Sequence, residues 1–245
     1  SARIFYSHNS GKLLPIIKLY GDSYRPIKKA TFYSTLAHRV RKSKIIIVGE
    51  EMDLRIPVMD VLRSGYGKRL LKDFIKANTP PEPTRVETYS EPTSMHSEQF
   101  LGKTLTPSES PTGSYEVVRG YLGSTFVVID EAIQLLVDSR FEEARKYIRI
   151  ALDPIGRNIV KKRLTAIPAQ HAVEYSPDCS MALFLQPVGW QSSDRFPRDL
   201  LNEGLLRRFL VLYPDISDAE RFEGFRESRK PVDDFEAQKE WAVAI

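Results

Sequence analysis

Apolar positions along the chain switch between short β-branched runs and stretches with helical spacing, the pattern of a sheet covered by helices. Leu13, Leu14, Ile16 and Ile17, then Phe32, Leu36 and Val40, recur at helical intervals among basic residues, so residues 1–43 are expected to form a helical lead-in. Lys44-Ile-Ile-Ile-Val48, bounded by Gly49, predicts a buried strand. A second strand is expected over Arg55–Val61, with Pro57 confining it to an edge or a strand start. Leu70, Leu71, Phe74 and Ile75 predict a helix ending before Asn78, and the prolines from Pro80 to Pro83 predict a surface loop.

Farther on, Thr104–Ser114 is rich in Ser, Thr and Pro and predicts a second loop, and Thr125–Ile129 is the clearest central strand. A helix is expected from Ala132 to about Leu152, broken by Asp153-Pro-Ile-Gly156, followed by a hairpin over Lys161–Tyr175. Met181–Leu185 predicts a third apolar strand, closed by Gln186 and Pro187. A helix around Leu200–Arg208 leads to a last strand, Phe209–Tyr213, and the charged tail over 215–245 is expected to be helical. Strands separated by helices predict an α/β core over residues 44–214, a largely parallel sheet sandwiched between helices.

Composition narrows the class without naming a function. The chain has 245 residues, 42% hydrophobic and 28% charged, as a globular α/β domain does. No apolar run approaches the roughly 18–20 residues a membrane helix needs, and no secretion signal opens the chain, so a cytoplasmic protein off the membrane is expected. A single cysteine, Cys179, excludes a disulfide framework. The net charge of +4 is too mild to identify a nucleic-acid binder, so the clustering of charge matters more. His96, His171 and Cys179 lack metal-ligand spacing, and zinc is not expected.

Two short motifs carry chemistry. Ser64-Gly65-Tyr66-Gly67-Lys68-Arg69 lies between a predicted strand and a predicted helix. A glycine turn at a helix start presents backbone N–H groups to an anion, and Lys68 adds a point charge. Against the Walker A pattern G-x-x-x-x-G-K-[ST], Gly67 and Lys68 fit, whereas Leu62 replaces the first glycine and Arg69 the hydroxyl. A surface turn bearing a lysine explains this motif equally well. The second motif, Phe126-Val-Val-Ile-Asp130-Glu131, ends a buried strand in two carboxylates. Asp130 there suits a metal held through water, and Glu131 suits a base polarising an attacking water. The alternative is a strand closing on a solvated acidic turn.

In this order, the phosphate loop, the Val-Ile-Asp-Glu-Ala element and Gly204-Leu-Leu-Arg-Arg-Phe209 resemble the AAA+ ATPases over roughly residues 44–214. More narrowly, the chain is similar to primase-associated, helicase-like ATPases of archaeal and phage mobile elements, whose threonine-rich segment the stretch Pro92–Lys103 resembles. The resemblance implies a P-loop NTPase fold of the AAA+/RecA-like kind, ATP and Mg²⁺ as cofactors, and a homo-oligomeric, hexameric ring. It implies Arg208 as an arginine finger with Arg207 beside it, and Gln186 as the sensor at the end of its strand. It also implies a hairpin whose Lys161, Lys162 and Arg163 contact DNA phosphates, for which a solvated charged turn is the alternative.

Three functions follow from these expectations. The first is an ATP-driven helicase or translocase of DNA replication. The second is a nucleotide-binding DNA or assembly module without turnover, because Leu62 and Arg69 alter the loop. The third is an AAA+-like regulator of a protein partner.

Overall fold

Val58–Val61, Phe126–Ile129 and Ser180–Leu185 are buried at every position, which a strand achieves only when both faces of its sheet are covered. The computed structural model describes residues 22–79, 81–82, 88–162, 167–187 and 204–228. Helix α1 (Arg25–Arg39) precedes an antiparallel hairpin of β1 (Lys44–Ile47) and β2 (Glu50–Asp53), then β3 (Val58–Val61) and α2 (Lys68–Ala77). Next come β4 (Tyr89–Ser90), α3 (Ser97–Leu101), a hairpin of β5 (Gly102–Leu105) and β6 (Glu116–Arg119), and β7 (Phe126–Ile129). Helices α4 (Ile133–Val137) and α5 (Glu142–Ala151) lead through a hairpin of β8 (Val160–Lys162) and β9 (Val173–Tyr175) to β10 (Ser180–Leu185). Strand β11 (Leu210–Leu212) and helix α6 (Asp218–Ser228) follow.

Five strands form one sheet in the order β11-β3-β10-β7-β4, and every pairing in it is parallel. One face packs Met59, Val127, Ile129 and Leu183 against Leu135, Leu136 and Ile148 of α4 and α5. The other packs Val58, Phe126, Val128 and Phe184 against Ile27 and Phe32 of α1 and Leu71, Phe74 and Ile75 of α2. The architecture is therefore α/β with helices on both faces of a parallel sheet, as the hydrophobic pattern predicts. No described helix is long and apolar enough to cross a membrane.

Asp60 interrupts the apolar second face. It sits in β3 between Met59 and Val61, is 0% exposed, and has no hydrogen-bond partner at either carboxylate oxygen. Burial pushes its pKa up to about 8.

Two local expectations are corrected, and one left with two alternatives is decided. Lys44–Val48 does not enter the sheet. The turn at Val48 and Gly49, both at positive φ, folds β1 back on β2, leaving Ile46 75% and Val48 99% exposed. Of the two placements Pro57 allows, the structure has the strand start and not the edge: β3 lies between β11 and β10, and the proline stands just before it, where no N–H is needed for the ladder. Its carbonyl accepts from Leu210 N instead, at 2.9 Å. The helix expected over 132–152 is broken at Asp138, whose extended backbone ends α4. Its carboxylate accepts Arg140 N at 2.9 Å, starting the turn that leads into α5. The expected helical residues Leu13–Ile17 and the helix start near Leu200 lie outside the described residues.

Arg55 is buried and ties the β1–β2 hairpin to the body. It pairs with Asp53 at 2.8 Å and donates to the carbonyls of Ala151 and Cys179, both at 2.9 Å.

Candidate functional site

The chain leaves β3 through α2 toward β4 on one side, whereas β10 connects to β11 on the other side of β3. The connections from the neighbouring ends of β3 and β10 thus run in opposite directions along the sheet, and parallel α/β sheets take ligands in the crevice at such a reversal. Leu62 N donates to Leu185 O at 2.9 Å, carrying the β3–β10 ladder to the mouth of that crevice. Ala132 N donates to Phe184 O at 2.9 Å and fixes the end of β7 beside it.

The loop after β3 holds Ser64, Gly65, Gly67, Lys68 and Arg69 at the start of α2. Gly65 has φ 77° and Gly67, the N-cap, has φ 92°, a left-handed conformation that glycine takes without strain. Gly67 brings no capping side chain, and its carbonyl accepts from Leu70 N and Leu71 N at 3.0 and 3.3 Å as the helix begins. Lys68 turns inward, its side chain 12% exposed, and stands 3.6 Å from Asp130 Oδ1. Arg69 points outward, 90% exposed and 3.7 Å from Asp73.

The acidic end of β7 meets this loop. Glu131 N donates to Asp130 Oδ1 at 3.0 Å. Glu131 itself has φ 52°, an uncommon conformation for a non-glycine residue. Gln186, following β10, donates through Nε2 to Glu131 Oε1 at 3.2 Å. Lys68, Asp130, Glu131 and Gln186 thus come together from three adjacent strand ends.

Sequence reasoning missed Lys72, a partner of Asp130, and Glu91, which shares that lysine. Lys72, one helical turn beyond Lys68, donates to Asp130 Oδ2 and to Glu91 Oε2, each at 3.0 Å. Glu91 follows the two-residue strand β4 and accepts from Tyr89 OH at 2.7 Å. Burial opposes the charge on Lys72, but bonds to Asp130 and Glu91 outweigh it and hold the ammonium above its ordinary pKa. Burial likewise works against the Asp130 carboxylate, and Lys72, Lys68 and the Glu131 amide together keep it below the usual range. The i, i+4 spacing of Lys68 and Lys72 was the available signal; β4 is too short to leave one.

Mg²⁺ does not fit these residues. It requires a nearly octahedral oxygen shell, whereas Asp130 is engaged by two ammonium groups and Arg69 stands at the hydroxyl position. Among the described residues no group of three His, Cys, Asp or Glu side chains could hold a metal.

Helix α6 reaches the glycine turn as well. Tyr66 is buried, its OH donates to Asp218 Oδ1 at 2.5 Å, and the Arg221 guanidinium lies over its ring at 5.1 Å. Arg221 Nε donates to Gly65 O at 3.2 Å. Tyr66 is thus an anchored turn aromatic. Between the loop and the end of β11 lies a cleft of about 330 Å³, lined by Leu62, Arg63, Tyr66, Pro187, Tyr213 and Ile216.

The remaining residues lie apart. Arg208 donates through Nε and Nη2 to Asp153 Oδ1 at 3.0 and 2.6 Å, and through Nη1 to Gly204 O at 2.9 Å. Arg207 is exposed. The β8–β9 hairpin forms, but Lys161 pairs with Glu174 at 2.5 Å, and Lys162 stands 3.7 Å from both Glu98 and Glu143. Arg163 lies outside the described residues. His96 packs edge-on against Phe141, His171 stacks on Tyr115, and Cys179 is buried. No family model and no curated protein matches the chain.

Proposed function

We propose that the chain is an ATP-binding domain of the AAA+ kind that acts on DNA as one subunit of a ring. The observation that carries this reading is the convergence of Lys68 and the Gly65–Gly67 turn with Asp130, Glu131 and Gln186 at the sheet's switch point. The helix start and Lys68 offer an anion cradle for phosphates. The adjoining cleft of about 330 Å³ combines apolar and aromatic side chains with the charged Arg63 and Asp215, a lining with both faces and hydrogen-bonding groups for a nucleobase. Glu131, held by Gln186, is the group to orient and deprotonate a water. The hairpin bearing Lys161 and Lys162, with Arg163 next in the sequence, is the DNA contact in this reading, supplying affinity without sequence specificity.

A second reading keeps the nucleotide and drops the turnover. It is favoured by Arg69 at the hydroxyl position and by the ion pairs that Lys72 and Arg208 make within the chain.

Binding of ATP to the wild-type chain and to Lys68→Ala tests the shared premise. The variant is expected to lose most of its affinity; equal affinity in the two proteins removes the site assignment. Turnover with and without single-stranded DNA then separates the motor from the non-catalytic module.

A further inference from the structure

The end of the sheet holds a cation of its own. Lys68 and Lys72 lie one turn apart on the same side of α2. Lys72 reaches between the C-terminal ends of two adjacent parallel strands, β7 and β4, and takes one carboxylate from each. Both bonds are 3.0 Å, and the Lys72 side chain is only 18% exposed. Tyr89 holds the second oxygen of Glu91, so the acceptor is fixed before any ligand arrives. Lys68 covers the other oxygen of Asp130. The carboxylate that would hold a metal is therefore bracketed by two ammonium groups, and a divalent ion reaching it would meet both positive charges. The hydroxyl that would complete a metal's shell is replaced by Arg69, which points into solvent.

We infer that Lys72 is the resident cation of this site, and that its ammonium takes the place of a divalent metal. It neutralises Asp130 and Glu91 so that a polyphosphate can approach the glycine turn, and it does so as a point charge on a tethered stem. Nucleotide binding is then independent of Mg²⁺. This rests on the phosphate-loop reading above, but the claim about the cation can be read without nucleotide.

The experiment has two arms. In the first, ATP is titrated into the wild-type chain in excess EDTA and in excess MgCl₂ by calorimetry. Comparable affinity is expected in both, whereas Lys72→Gln is expected to bind about tenfold more weakly in EDTA and to recover with Mg²⁺. In the second, Mn²⁺ alone is titrated without nucleotide and followed by electron paramagnetic resonance. Wild type is expected to leave Mn²⁺ free, and Lys72→Gln to gain a bound ion that Glu91→Gln in the same chain removes. Wild-type ATP binding that requires Mg²⁺, or wild-type binding of Mn²⁺ at this site, overturns the inference. Absence of ATP binding in both buffers overturns the phosphate-loop reading instead, and the Mn²⁺ arm still decides whether Lys72 excludes a metal. Should Lys72→Gln fail to fold, Lys72→Arg keeps the charge and is expected to remain insensitive to EDTA, and a Mg²⁺ requirement in it counts against the inference.

Discussion

Asp60, inside β3, and Asp130, just past β7, are carboxylates in opposite environments. Asp130 is surrounded by ammonium and amide donors, whereas Asp60 has none. In an unfolded chain Asp60 ionises at about pH 4; in the fold it keeps its proton up to about 8. Across that window the folded chain binds more protons than the unfolded one, so stability falls as pH rises and levels off beyond it. Asp60→Asn cannot ionise. It should flatten the profile and, at the alkaline end, exceed the parent in stability by on the order of a few kcal/mol. Urea midpoints at both ends of the window check this; a variant profile as steep as the parent's would exclude Asp60 as the source. For Glu131, a base role predicts that Glu131→Gln retains ATP and loses most turnover, since an amide cannot accept the proton. Single-turnover kinetics separates that from a binding defect.

At the level of elements, the β1–β2 turn carries an avoidable strain. Val48 is β-branched, almost fully exposed and at φ 52°, where an L-residue loses roughly 1–2 kcal/mol. Val48→Asn would create an Asn-Gly turn that tolerates positive φ. A gain of up to about 1 kcal/mol is expected from relief of that strain, read as a higher Tm because Arg55 couples the hairpin to the body. The turn before β11 presents a different question, whether Arg208 serves its own chain or a neighbour. Asp153→Asn loosens the ion pair but leaves the guanidinium; Arg208→Ala removes both. Each should lower stability by no more than about 1 kcal/mol, given the partial exposure of the pair. If Arg208 is a finger, only Arg208→Ala abolishes cooperative turnover, and equal losses in the two variants would assign it a purely structural part.

Over the whole molecule, the sequence was most legible where burial is complete. Phe126–Ile129 and Met181–Leu185 are continuous apolar runs because both sheet faces are covered, so their pattern carries their position. Lys44–Val48 has the same pattern on a hairpin outside the sheet, where its turn decides the outcome. The site was legible as far as its motifs are local: Lys68 opens the helix and Asp130–Glu131 follow the strand directly. Glu91, Asp153 and α6 reach their partners only through tertiary packing, and neither spacing nor composition announces such contacts.

The sheet order also sets a schedule for folding. Strand β3, which carries the glycine turn, finds its two neighbours in β10 and β11, from the opposite end of the sequence. Pairings so distant along the chain must first close long loops, and that entropy slows them. The helices and the three hairpins have local contacts and should form early, while β3 waits. In pulse-labelling hydrogen exchange during refolding, amides of Val58–Val61 are expected to gain protection last, together with those of Leu210–Leu212. The proposed nucleotide site would then be the final part of the molecule to take shape, and ATP added during refolding would leave the rate of the earlier phases unchanged. A cradle amide protected in the first phase would show a different order of assembly.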